Sequence, residues 1–250
     1  MATRFLTALP VYNESQYVQG VLDEVKRYSS DVLVVDDGSS DGTSAILDAR
    51  KDIFVARHEK NRGYGAALKT AFEFAQQHQY DVIVTIDCDG QHEPLRIPRF
   101  VAACVPGVDI VSGSRYLKKY AGDSEPPAER RWVNQRVTAE LNRRLGFNLT
   151  DTFCGFKAYR VDALKHFSID EAGYAMPLQV WVQAAAAGLK IIELPVPLIY
   201  LDEKRSFGGV LDDASTRMEY YHLVIDRSIA LENAAGRALP PCSQVVETLG

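Results

Sequence analysis

The most constraining feature of this sequence is where its carboxylates fall. Three times before residue 93, a short apolar run ends in a polar, acid-bearing loop, and a helical pattern follows. Phe5–Pro10 reads as a strand running into Pro10-Val11-Tyr12-Asn13-Glu14. Val32–Val35 runs into Asp36-Asp37-Gly38-Ser39-Ser40-Asp41-Gly42-Thr43, and Val82–Ile86 into Asp87-Cys88-Asp89-Gly90-Gln91-His92. Tyr17, Val18, Val21, Leu22 and Val25 share one face of a helix starting near Ser15. A second helix opens at Asp41-Gly42-Thr43, and a third carries Ala66, Ala67, Leu68, Ala71, Phe72 and Ala75. Ile53–Ala56 predicts a short strand between them. This alternation packs as a parallel sheet with crossover helices. Ligands of such sheets bind beyond the carboxyl ends of the strands. The acid-bearing loops therefore mark one sheet edge as the site.

The second half is less regular. Asp109–Ser112 predicts a strand, Tyr120–Glu129 a polar loop through Pro126-Pro127, and Glu129–Leu145 a helix. Thr152–Tyr159 reads as strand or loop, Pro177–Ala187 as a helix, and Lys190–Tyr200 as an extended segment. Leu211, Ala214, Met218, Tyr221, Val224, Ile225 and Ile229 predict a long amphipathic helix. No run of about 18 apolar residues is present, so no membrane span is predicted. The N-terminal segment fits a buried first strand better than a signal peptide. A net charge of −5 argues against a dedicated nucleic-acid binder. Cys88, Cys104, Cys154 and Cys242 show no zinc-finger spacing and are expected to be free thiols in a reducing cytoplasm.

Asp87 and Asp89 alternate at a strand end, so both carboxylates face one side. Adjacent carboxylates repel unless a cation lies near them. A hard ion such as Mg²⁺ or Mn²⁺, its shell completed by ligand phosphate, fits the pair, and Gln91 offers a neutral oxygen. Turn capping competes with this reading, as it does for Asp36-Asp37 in an Asp-Gly turn. In its functional reading Asp37 accepts from a base N–H or ribose hydroxyls. Asn61-Arg62-Gly63-Tyr64-Gly65 opens a helix as a phosphate cradle would, but Leu68 fills the third glycine position of G-x-G-x-x-G. Gly63 and Gly65 are therefore read as close-packing residues. His92 is either a metal ligand or a packed loop residue. Arg115, Arg130-Arg131 and Lys204-Arg205 supply cations, and arginine grips phosphate bidentately. Together they suggest a substrate with more than one phosphate. The absence of G-x-S-x-G, H-E-x-x-H and Walker patterns speaks against serine-hydrolase and zinc-protease chemistry.

In series, PVYNE, VVDDGSSDGT, NRGYGAAL, DCDGQHEP, GSRY and DTFCGFKAYR resemble the family 2 glycosyltransferases of the GT-A fold, from about Phe5 to Gly209. Within them the chain is most similar to the dolichol-phosphate mannosyltransferase and polyprenyl-phosphate glycosyltransferase branch. The resemblance implies an α/β fold with a mixed, mainly parallel, Rossmann-like sheet. It implies one domain over residues 1–238, with a nucleotide-sugar half (1–115), an acceptor half (116–238) and a tail (239–250). Pro10, Tyr12, Glu14, Val35 and Asp37 are implied around base and ribose. Asp87, Cys88 (by its backbone), Asp89 and Gln91 are implied around metal and diphosphate, with Asp89 and Gln91 the direct ligands. Arg115 and Arg131 match positions facing the acceptor phosphate, and Arg205, with Lys204, a loop that closes over the donor.

The expected enzyme is an inverting, metal-dependent hexosyltransferase acting on polyprenyl phosphate at the cytoplasmic face of a membrane. GDP-mannose is the first donor expected and UDP-glucose the second. A divalent metal and basic side chains stabilise charge on the departing diphosphate. A phosphate acceptor is already anionic, whereas a hydroxyl acceptor needs a general base, for which Asp170 or Glu171 is the candidate. As turn residues that pair is expected to be exposed. Transfer to a cell-envelope hydroxyl and a non-catalytic nucleotide-sugar binder are the alternatives. The amphipathic helix at Leu211–Leu231 is read as core packing or as a weak peripheral lipid contact.

Overall fold

In the computed structural model, which describes residues 3–201 and 212–240, the first half alternates strand and helix as the periodicity predicts. The order is β1 (Phe5–Val11), α1 (Val18–Val25), β2 (Val32–Asp36), α2 (Thr43–Ala49), β3 (Phe54–Arg57), α3 (Tyr64–Gln77) and β4 (Val82–Thr85). β1 pairs in parallel with β2 and β4, and β2 with β3. Alternate strand residues feed two cores. Leu6, Leu33 and Val35 pack toward α3, while Leu9, Val34 and Val84 face Val18, Leu22 and Leu47 of α1 and α2. Burial of both faces explains the near-continuous apolar runs. α1 starts at Val18 rather than Ser15, because the Glu14 carbonyl accepts the amides of Tyr17 and Val18 in a preceding turn.

The second half adds α4 (Ile97–Ala103), β5 (Ile110–Ser114), α5 (Ala128–Leu145), β6 (Lys157–Arg160), α6 (Met176–Ala186), β7 (Ile191–Pro195) and α7 (Ala214–Ala234). One mixed sheet results, in the order β3-β2-β1-β4-β6-β5-β7. β6 runs antiparallel to both β4 and β5, and Lys157 lies opposite Thr85 on one side and Ser112 on the other. Because β6 is reversed, the residues leading into it emerge at the same edge as the carboxyl ends of the parallel strands. That reversal brings Asp151–Phe156 to the site. The extended segment expected through Tyr200 is a strand only to Pro195, since Pro195 and Pro197 have no amide to pair.

The apolar stripe of α7 is buried: Tyr221, Val224 and Ile225 join the core that contains Trp181 of α6 and Leu141 of α5. Its expected start at Leu211 lies outside the described residues. Cys88, Cys104 and Cys154 are free thiols, while Cys242 lies outside the described residues. Burial pushes the Cys104 and Cys154 thiols up to about 12. Among the described residues, no helix is long and apolar enough to cross a membrane.

Candidate active site

A cavity of about 510 Å³ opens at the expected sheet edge. That is within the usual size of a small-molecule site. Its charged lining residues are segregated by origin. The carboxylates are Glu14, Asp37, Asp87 and Asp89, all from loops after β1, β2 and β4. The guanidinium groups are Arg115, Arg130 and Arg217, from the end of β5, from α5 and from α7. Among the expected donor residues, Pro10, Tyr12, Cys88 and Gln91 also line it. Val35 does not: it points from β2 into the core. Lys204 and Arg205 lie outside the described residues.

The loops after β1 and β2 brace one another. The Asn13 amide donates to Ser39 Oγ (3.0 Å), Asn13 Oδ1 accepts the Ser40 amide (2.8 Å), and Asp41 Oδ2 accepts the Ser15 amide (3.0 Å). Asp36 is consumed by its own turn, accepting from the Ser39 amide and from Ser44 Oγ. Asp37 holds the next loop: Oδ1 lies 2.5 Å from His58 Nδ1 and accepts the Arg62 amide, while Oδ2 accepts the Gly63 amide at 2.7 Å. The other ring nitrogen of His58 meets Thr70 Oγ1 at 2.9 Å. A carboxylate has about four acceptor sites, so Oδ2 of this cavity-lining residue keeps capacity for one more donor. Gly63 and Gly65 are close-packing residues, as read from the sequence. A Cβ at Gly63 would lie 2.4 Å from the Ala172 carbonyl oxygen, and one at Gly65 2.3 Å from that of Glu171.

Asp87 is set from behind. Its Oδ1 accepts from Tyr64 Oη at 3.1 Å, and His92 Nε2 lies 3.4 Å from Oδ2. Gly155 lets the carboxylate lie against the chain, since a Cβ there would fall 2.1 Å from Oδ2. Burial pushes the Asp87 carboxyl up, but the His92 and Tyr64 hydrogen bonds and the charges of His92 and Lys157 outweigh it, and it titrates below its usual range. His92 is buried edge-on against Phe156, so its contact is with Asp87 rather than the cavity. Asp89 Oδ1 accepts the Gln91 amide at 3.0 Å, closing a tight turn. Among the described residues, no three His, Cys, Asp or Glu side chains gather closely enough to hold a metal ion. Two carboxylates and an amide oxygen fit a hard divalent ion that shares its shell with ligand phosphates, and not a self-contained metal cage.

The opposite wall rests on ion pairs. Arg115 donates Nε and Nη2 to Asp151 at 2.7 and 2.9 Å, and Asn134 Nδ2 donates to the same carboxylate at 2.8 Å. Burial pushes Asp151 up, but the Arg115 charge and these hydrogen bonds bring its pKa down to about 2. Arg130 lines the cavity and Arg131 does not. Arg130 shares a helical face with buried Val133 and Asn134, whereas Arg131 is turned to solvent. Arg217, buried on α7 and ion-paired with Glu129, was not singled out in the sequence. It falls outside the apolar stripe, and its neighbour α5 is distant in the chain. Between the walls, buried Lys157 donates to the Cys154 carbonyl and lies 5.4 Å from the Trp181 ring. Aromatic side chains close the site, with Tyr64 stacked on Tyr174 at 5.8 Å.

Neither acidic residue expected as a base lines the cavity. Glu171 is buried rather than exposed, accepting from the Gly173 amide and Tyr220 Oη. Asp170 is held by Gln179 and Arg227.

Residues 7–167 match the model of glycosyl transferase family 2. The chain belongs to that family. This family 2 enzyme is 33% identical over 223 residues to the undecaprenyl-phosphate mannosyltransferase of Micrococcus luteus, covering 84% of this chain and 90% of that one. It is 31% identical over 204 residues to the polyprenol monophosphomannose synthase of Mycolicibacterium smegmatis, covering 77% and 76%. Glucosyl-3-phosphoglycerate synthase from Mycobacterium tuberculosis shares its fold at 18% identity, with a TM-score of 0.68 over 92% of this chain and 81% of that one. The same enzyme in complex with Mn²⁺, uridine diphosphate and phosphoglyceric acid superposes with a TM-score of 0.64 at 17% identity, over 96% of this chain and 80% of that one. The family 2 glycosyltransferase assignment and the mixed, mainly parallel GT-A fold agree with the resemblance read from the motifs.

Proposed function

We propose that this glycosyltransferase moves a hexose, mannose first among candidates, from a nucleoside-diphosphate sugar to a polyprenyl phosphate with inversion. The observation that carries the reading is the segregation of charge in the cavity: carboxylates from the first half of the chain, guanidinium groups from the second. The names of the two relatives above, one an undecaprenyl-phosphate mannosyltransferase, support the same acceptor class and sugar.

On this reading Pro10, Tyr12, Glu14 and Asp37 receive base and ribose, and the remaining acceptor capacity of Asp37 Oδ2 meets a base or ribose donor. Asp87, Asp89 and Gln91 would hold Mg²⁺ or Mn²⁺ against the donor diphosphate. Bound there, the cation would neutralise charge developing on the leaving group. Arg115 and Arg130 face the acceptor phosphate, with Arg217 beside them. A phosphate oxygen attacks the anomeric carbon, that carbon's bond to the diphosphate oxygen breaks, and the electron pair leaves with the nucleoside diphosphate. The attacking oxygen is already ionised near neutral pH, so no proton is removed. That matches a second half whose acidic residues Asp151, Asp170 and Glu171 are engaged in internal contacts.

Labelled GDP-mannose and UDP-glucose, each offered with Mn²⁺ and either polyprenyl phosphate or an oligosaccharide, test the assignment. Labelled lipid is expected, with GDP-mannose the better donor. Product on the oligosaccharide alone would overturn the acceptor.

A further inference from the structure

Three of the exposed large apolar residues follow cavity-lining residues within one or two positions. Leu117 (45% exposed) follows Tyr116, Trp132 (46%) lies two residues past Arg130, and Leu201 (56%) follows Tyr200. Hydrogen bonds tie the loop at Asp123-Ser124, which connects Leu117 to α5, to the segment that ends at Leu201. The Ser124 amide donates to the Leu198 carbonyl at 2.7 Å, the Leu198 amide to Asp123 Oδ1 at 2.9 Å, and the Tyr200 amide to Ser124 Oγ at 3.1 Å. The Arg130 guanidinium lies 6.0 Å from the Tyr200 ring centre.

The rim is cationic in an acidic protein. Lys118, Lys119, Arg131 and Arg136 are exposed on it, with Arg136 5.7 Å from the Trp132 ring and Lys118 5.2 Å from that of Tyr120. Of the acids in the same stretch, Asp123 is engaged by the amides of Tyr120 and Leu198, Glu129 is paired with Arg217, and Glu125 remains. The exposed Leu223 of α7 has a different setting. Around it Asp226 and Arg227 are ion-paired within the fold, with Arg144 and Asp170, and His222 Nδ1 lies 2.8 Å from Glu140.

We propose that this rim, formed by Leu117–Lys119, the exposed face of Arg131, Trp132 and Arg136, and Leu201, docks the cavity mouth on an anionic lipid bilayer. The proposal rests on the polyprenyl phosphate reading. Tryptophan and tyrosine with an apolar body and a polar tip suit the headgroup layer, and basic clusters are drawn to anionic lipid. Exposed apolar tips on three neighbouring segments sink together into an interface. Docked this way, the mouth meets the lipid phosphate at the headgroup plane without extraction of the polyprenyl chain. The contact lies on α5 and its flanking loops, not on α7.

The sequence contains two tryptophans, and Trp181 is fully buried, so Trp132 reports on the rim. The full chain is mixed with vesicles of phosphatidylcholine carrying about one third phosphatidylglycerol, or with phosphatidylcholine alone. Expected are cosedimentation and a blue-shifted emission with the anionic vesicles only, quenched by lipids brominated on their acyl chains. Leu117→Ser with Trp132→Ser, and separately Lys118→Glu with Lys119→Glu, are expected to weaken vesicle binding at least tenfold. They should slow transfer to vesicle-borne acceptor similarly, with turnover of a short-chain, water-soluble polyprenyl phosphate unchanged. No binding to anionic vesicles, or binding the variants leave intact, overturns the docking and points to a protein partner. Failure of the native chain to use the short-chain acceptor overturns the function reading instead.

Discussion

The two walls of the cavity solve the burial of charge differently. On the carboxylate wall, Asp37 is held by backbone amides of the loop after β3, and Asp89 by an amide of its own turn. On the arginine wall, charge is held by pairs that fold together from afar. Arg115 meets Asp151 across 36 positions, and Glu129 meets Arg217 across 88. A backbone amide stays in place whatever side chain its residue carries. An ion pair depends on both partners, and losing Arg115 leaves the buried Asp151 without its paired guanidinium. The first wall is therefore insulated against single losses, and the second is not.

The sharpest way to break this comparison is Arg115→Met, which strands Asp151 in the interior. A stability loss of about 3–5 kcal/mol is expected in urea denaturation. A loss as small as that of a surface substitution would show that the pair is not what holds the wall. Asp89→Ala should act on chemistry instead. Turnover is expected to fall about a hundredfold to a thousandfold, the scale of deleting one preorganised charge-stabilising group, with the urea midpoint nearly unchanged. Acid titration comes next. Asp151 falls from 3.8 to about 2 in the folded state. Its contribution, about 2 kcal/mol, is therefore complete above pH 4 and lost as pH drops through 2. Asp151→Asn should flatten that part of the stability curve. Smallest is the register of α5. With a short-chain acceptor, Arg130→Ala should raise the acceptor KM about tenfold, the worth of roughly 1.4 kcal/mol, and Arg131→Ala should leave it within twofold.

The same contrast explains how much of the molecule was legible in the chain. The loops after β1, β2 and β4 were readable because strand, turn and helix signals lie side by side there, and the structure brings Tyr12, Glu14, Asp37, Asp87 and Asp89 to one cavity. Val35 does not line the cavity, because its strand position faces the core. The resemblance pointed to Arg131, whereas the buried face of α5, fixed by Val133 and Val137, turns Arg130 toward the cavity. Arg217 carries no local signal, and its place depends on how α7 meets α5. Glu171 read as a turn acid, yet the close approach of its loop to Gly65 buries it. Non-local packing decided the last two.

The reversed strand β6 also bears on how the protein is made. β4 gains its second neighbour only when Lys157 arrives, 72 residues after Thr85. At about 5–20 residues per second, a nascent chain on the ribosome carries an unpaired, apolar sheet margin for several seconds. Such a margin is a template for strand pairing between chains. Synthesis of this enzyme thus includes an interval in which chaperone capture competes with aggregation, and it ends when the β6 residues clear the exit tunnel.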